Sequence, residues 1–144
     1  AKNFHISFAA SCTGGMCCGT IVNVPNASRV LDMSFVTYAD YAKCKLIGVN
    51  EKTVADFGVV SEQVAYEMAQ GVAKTANSEV GVGITGIAGP TGATETKPVG
   101  MVCFGFCING KVTTVTKYFG NIGRNNVRKS SVDFVMTQLL KLLD

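Results

Sequence analysis

The 144-residue chain carries little charge, one histidine and no spaced cysteine pair, and each shortage removes a class of function. Charged residues make up 16% and the formal net charge is +3, with the basic residues scattered. That balance excludes a nucleic-acid surface and at most favours a small anion. The sole histidine, His5, lies inside an alternating stretch, away from any cysteine partner in sequence. Among the six cysteines, Cys17 and Cys18 are adjacent, Cys12 and Cys44 stand in unlike contexts, and Cys103 and Cys107 share one face of an expected strand. No C-x-x-C pair or Cys/His cluster arises, which argues against a disulfide framework and against a metal site. The thiols read instead as small buried hydrophobes in a reducing compartment. No apolar run reaches membrane-spanning length and no secretory h-region occurs, so no membrane partner is expected and the expected location is the cytoplasm. G-x-x-x-x-G-K-[ST] is absent and no strand follows a G-x-G-x-x-G, so neither of the two common nucleotide fingerprints applies.

What the chain does have is apolar surface. Hydrophobic residues reach 47% and the mean hydropathy is +0.28, high enough to expect that another copy covers part of the surface in a homo-oligomer. The length fits one domain, residues 1–144, able to bury about two thirds of its unfolded surface.

The pattern opens with His5-Ile6-Ser7-Phe8-Ala9, which alternates as a strand does, and changes at Ser11-Cys12-Thr13-Gly14-Gly15 to helical spacing from Met16. A strand-to-helix junction gathers loose N–H groups where an anion or a developing negative charge is favoured. Ser11 or Thr13 is therefore either a reactive hydroxyl beside such a site or a plain helix cap. Pro25-Asn26-Ala27-Ser28 marks a turn, Val30 to Tyr38 a strand rich in β-formers, and Asp40 to Leu46 a helix ended by Gly48. On that helix Lys43 reads most simply as solvated. Ser61 caps a helix over Glu62 to Lys74 whose core stripe includes Met68. Val80 to Thr85 is a continuous apolar strand of the kind found mid-sheet.

A segment rich in glycine and threonine follows, from Gly86 to Pro98, long enough to suggest function and able to close backbone amides on a phosphate. Val99 to Ile108 and Lys111 to Phe119 form a hairpin around Asn109-Gly110. The last helix starts at Arg124, with Val127, Val132, Val135, Met136, Leu139, Leu140 and Leu143 as its apolar stripe. Arg124, Arg128 and Lys129 crowd its first turns, where cations oppose the helix dipole and answer either solvent or an external anion. Together these elements indicate a single-domain three-layer α/β/α fold around a mixed, mostly parallel sheet with a C-terminal β-hairpin.

Taken in order, Ala10-Ser11-Cys12-Thr13-Gly14-Gly15, Phe35-Val36-Thr37-Tyr38 with Ala42-Lys43, Leu46-Ile47-Gly48-Val49, Gly58-Val59-Val60-Ser61, Thr85-Gly86-Ile87-Ala88-Gly89-Pro90 and Lys97-Pro98-Val99-Gly100 resemble the CinA C-terminal domain family of nicotinamide mononucleotide deamidases. The resemblance covers nearly the whole chain. It implies a metal- and cofactor-independent amidohydrolase, in stand-alone form, converting nicotinamide mononucleotide to nicotinate mononucleotide and ammonia in pyridine nucleotide recycling. It further implies a Ser11 nucleophile and a Lys43 base, with Thr13, Gly14, Ser28, Tyr38, Thr85, Gly86, Arg124 and Arg128 on the substrate side and one of the two arginines on the phosphate. Three stretches depart from the family's usual residues: Ala10 for glutamate, Asn26-Ala27 within the loop before Ser28, and Ser34 for glycine. The first leaves a second reading, a paralogue that binds a nucleotide without hydrolysing it.

Overall fold

The computed structural model describes residues 3–144. Five strands form one sheet in the order β2-β1-β3-β4-β5: β1 Ile6–Ala10, β2 Leu31–Val36, β3 Val80–Gly86, β4 Met101–Ile108 and β5 Lys111–Tyr118. β1 runs parallel to both β2 and β3, while β3–β4 and β4–β5 are antiparallel. The sheet is therefore half parallel rather than mostly so. The chain returns along β3 through residues 87–100 without a helix, and a return without a crossover must reverse direction.

Six helical segments surround it: α1 Met16–Ile21, a 3-10 turn at Ala27–Arg29, α2 Asp40–Ile47, α3 Glu51–Phe57, α4 Glu62–Ala76 and α5 Arg124–Leu142. From β1 the chain steps to β2 on one side through α1, then crosses back through α2 to α4 to β3 on the other side. Right-handed crossovers in opposite directions place their helices on opposite faces. The cores agree. Phe8, Val82, Phe104 and Phe106 pack on Cys17 of α1 and on Val127, Val132, Val135 and Leu139 of α5. Ala9 packs on Ile47, Val64, Met68 and Val72, from α2 and α4. Phe134 of α5 closes the aromatic layer, its ring 4.7 Å from that of Phe104. The expected stripe of α5 includes one error: Leu140 is 75% exposed, because the buried face passes through Ser131 and Val135 to Leu139.

On the other face, α4 lies close against the sheet. Its Ala65, Ala69 and Ala73 sit over Gly81, Gly83 and Gly105, and a methyl group at Gly83 would stand 2.6 Å from Met68 Cβ and 2.8 Å from the Ala65 carbonyl. Ser61 caps this helix as expected, accepting from Val64 N–H at 3.2 Å. β3 is buried along its length up to Gly86, the central strand that its unbroken apolar run implied. All six cysteines are free, with Cys12, Cys17, Cys103 and Cys107 buried. Among the described residues no helix is long and apolar enough to cross a membrane.

Candidate active site

The topology dictates where a site belongs. The chain leaves β1 toward β2 and leaves β3 toward β4, on opposite sides in the strand order, so a crevice opens beyond the carboxyl ends of these neighbouring parallel strands. A cavity of about 250 Å³ occupies that position. Its wall takes Ser11 and Cys12 from the end of β1, Tyr38, Asp40 and Lys43 from beyond β2, and Thr85, Gly86 and the 87–92 segment from the end of β3. Val59, Val60 and Arg124 complete it. A wider groove between the end of α2 and α4 exposes Tyr66, Glu67 and Lys74, but Glu67 is committed to the N–H of Asn50 and the hydroxyl of Thr53.

Lys43 is the side chain that sequence pattern misjudged most. It is 1% exposed, with its amine donating to the Thr37 carbonyl at 2.8 Å and standing 3.5 Å from Ser11 Oγ. Burial pushes its pKa below the ordinary lysine value, because an ammonium loses hydration there; the Asp40 carboxylate opposes that shift. The result is an amine biased toward its neutral, proton-accepting form and directed at a serine hydroxyl. Cys12, next in the chain, does not compete as the nucleophile. Burial raises its thiol to about 11, so it stays protonated at neutral pH.

The turn that presents Ser11 is not a capping structure. α1 is a short helix whose N-cap is Gly15, without a side-chain cap, and Gly14 and Gly15 take φ of +59° and +92°. Glycine is favoured at both because other residues are strained there. Gly14 N–H donates to the Ser11 carbonyl at 3.0 Å and Met16 N–H to that of Thr13 at 3.1 Å. Thr13 is fully buried, and its hydroxyl finds no hydrogen-bond partner among the described residues.

The remaining expected site residues divide. Tyr38 lines the cavity, 59% exposed, and its hydroxyl accepts from Arg124 Nη2 at 2.9 Å. Arg124 also donates to the Gly89 carbonyl at 2.8 Å, bridging the segment that follows β2 to the glycine-rich segment. Lys97 fastens that segment from its other end, donating to the Phe57 carbonyl at 2.6 Å, so the loop is pinned at both ends. Thr85 faces the cavity, but its hydroxyl proton goes to the Val59 carbonyl at 2.8 Å; it holds the wall and is not a free donor for an oxyanion. Arg128 does not line the cavity. It binds the backbone of the turn that follows Ser11, donating from Nε to the Cys12 carbonyl at 3.0 Å and from Nη2 to the Thr13 carbonyl at 3.2 Å.

Ser28 is not in the site of this chain. It is exposed on the 3-10 turn before β2, and the pairing of Leu31 with Ile6 puts the start of β2 beside the start of β1, at the other end of the sheet from Ser11. Two contributors were missed by sequence reasoning: the Thr37 carbonyl, which carries no side-chain signal, and Asp40, whose place three residues before Lys43 on one helix put it within reach. Among the described residues, no three or more His, Cys, Asp or Glu side chains are grouped so as to hold a metal ion.

The family model for the CinA C-terminal domain matches residues 1–143. The chain belongs to that family. It is 46% identical over 143 residues to a protein of Clostridium perfringens (strain SM101 / Type A) provisionally named competence-damage inducible, covering 99% of this chain and 34% of the relative. Among solved structures, competence/damage inducible protein CihA from Agrobacterium tumefaciens superposes with a TM-score of 0.96 at 37% identity, over 99% of this chain and 87% of that one. A CinA superfamily protein from Escherichia coli gives 0.93 at 33%, over 97% and 81%. The chain spans about a third of the length of the curated relatives it matches.

Proposed function

We propose that this CinA-family domain is an amidohydrolase that deamidates nicotinamide mononucleotide through a Ser11–Lys43 pair. The observation that carries the reading is a buried lysine amine with a depressed pKa 3.5 Å from a serine hydroxyl at the switch point of the sheet. A serine hydroxyl is a weak nucleophile until a base takes its proton, and a desolvated lysine can do so near neutrality. Ser11 Oγ bonds to the carboxamide carbon as its proton passes to Lys43 Nζ. The C–N bond then breaks, ammonia leaves with that proton, and the acyl group remains as a Ser11 ester. Water, deprotonated by Lys43, cleaves the ester to nicotinate mononucleotide and restores Ser11. Backbone N–H groups after Ser11 are the donors for the oxyanion, each worth about 3 kcal/mol in such sites. Arg124, at the cavity wall, is the cation for the phosphate. The substrate identity rests on the family resemblance.

Purified protein is expected to release ammonia from nicotinamide mononucleotide, and Ser11→Ala or Lys43→Ala to stop it. Unchanged turnover in either variant would remove the assignment. Ala10 in place of the family's usual glutamate favours the second reading, a nucleotide binder without turnover; calorimetric binding with no ammonia from the unaltered protein would establish it.

A further inference from the structure

Two arginines stand one helical turn apart at the start of α5, yet they do different work. Arg124 faces the cavity, whereas Arg128 reaches across 115 residues of sequence to the main chain at Thr13 and across 116 to that at Cys12. Three of its five N–H donors are engaged, the third on Asn125 Oδ1 at 3.2 Å. Gly14 makes room for it, since a Cβ there would lie 3.3 Å from Arg128 Nη2.

We propose that Arg128 is a positioning residue for the nucleophile, fixing the peptide planes that follow Ser11. The inference rests on the reading of Ser11 as nucleophile. In a trans peptide the carbonyl and N–H point to opposite sides, so a fork that seizes the Cys12 and Thr13 carbonyls sets where the Thr13 and Gly14 N–H groups aim. Gly14 N–H is taken by the Ser11 carbonyl, which closes the turn, while no acceptor meets Thr13 N–H among the described residues. The guanidinium thus leaves the Thr13 N–H available as a backbone donor close to Ser11 and holds Ser11 itself at the head of a closed turn. A lysine cannot span both carbonyls, because its single ammonium lacks the planar fork.

The test is ammonia release from nicotinamide mononucleotide, together with the rate at which a fluorophosphonate probe labels Ser11. Arg128→Ala is expected to lower kcat about 100-fold, the scale of a small misplacement at a reacting centre, with KM within about twofold. Millimolar guanidinium is expected to restore part of the loss, and labelling of Ser11 to slow in parallel. A raised KM with unchanged kcat would make Arg128 a phosphate ligand and overturn the proposal, as would unchanged values of both. If Arg128→Ala does not fold, Arg128→Lys carries the test: wild-type kcat and labelling rate in it overturn the proposal. A wild type that releases no ammonia removes the amide substrate alone, and labelling rates then decide: slower in the variant and rescued by guanidinium supports Arg128, equal rates sink it. Failure of Ser11 to label in the wild type removes the nucleophile and the inference together.

Discussion

The carboxyl end of the parallel strands and the α4-backed face of β3 and β4 are built on opposite rules. At the first, buried or half-buried polar side chains are tied to main-chain carbonyls: Lys43 to Thr37, Thr85 to Val59, and the half-buried Arg128 to Cys12 and Thr13. At the second, glycines of the sheet meet the backbone and the alanine side chains of α4 at close range. The first region holds an ionisable group at a cost in desolvation, and the second supplies close packing that tolerates that cost. Substitutions in the two regions should therefore separate activity from stability.

The largest expected effect is at the proposed nucleophile and its base. Ser11→Ala and Lys43→Met are each expected to lower kcat by about 10⁴-fold or more, by analogy with serine nucleophiles and their bases. Lys43→Met should meanwhile leave the melting temperature equal or higher, since a buried amine is exchanged for an apolar chain of similar length. A melting temperature that falls along with activity would break the contrast. The reverse separation belongs to Gly83→Ala. Its methyl group meets Met68 and the Ala65 carbonyl, and overpacking of this kind costs about 1–3 kcal/mol, read as a lower urea midpoint, while kcat of the folded fraction holds.

The two regions also differed in legibility. The α4 face follows from spacing: Ala65, Ala69 and Ala73 recur every four residues, and Val80 to Thr85 reads directly as a central strand. Ser11 was legible because a strand ended at a hydroxyl and two glycines. Lys43 was not, since its burial comes from Thr37 and from the β1 turn, which lie elsewhere in the chain, and nothing in an eight-residue helix announces them. Arg124 and Arg128 share a helix face, so pattern could not assign one to the cavity and the other to a turn near the start of the chain. Ser28 was misplaced for a topological reason: a residue that precedes a parallel strand lies at the end of the sheet where its neighbour begins.

A finer test concerns the charge beside Lys43. Asp40 lines the cavity and stabilises the ammonium, against the larger effect of burial. Asp40→Asn removes that support and should move Lys43 still lower. The acid limb of kcat against pH, which rises as Lys43 loses its proton, should shift to lower pH. A shift to higher pH would mean that the limb belongs to another group. Stability carries the same sign. Between the depressed folded value of Lys43 and its ordinary one, the unfolded chain binds more protons, so stability should rise with pH across that window.

The smallest expected effect is at Ser28, and it examines the far end of the sheet. The turn Ala27–Arg29 precedes β2, beside the start of β1, whereas Ser11 follows the end of β1, with the five-residue strand between them. At about 3.3 Å per residue that separation exceeds the reach of a serine hydroxyl several times over. Ser28→Ala should leave kcat and KM within about twofold of the unaltered protein, measured by ammonia release. A loss of tenfold or more could not come through the chain's own cavity. It would require the turn of a second copy to reach the site, and dilution below the dissociation constant of that assembly should then abolish the wild-type rate as well.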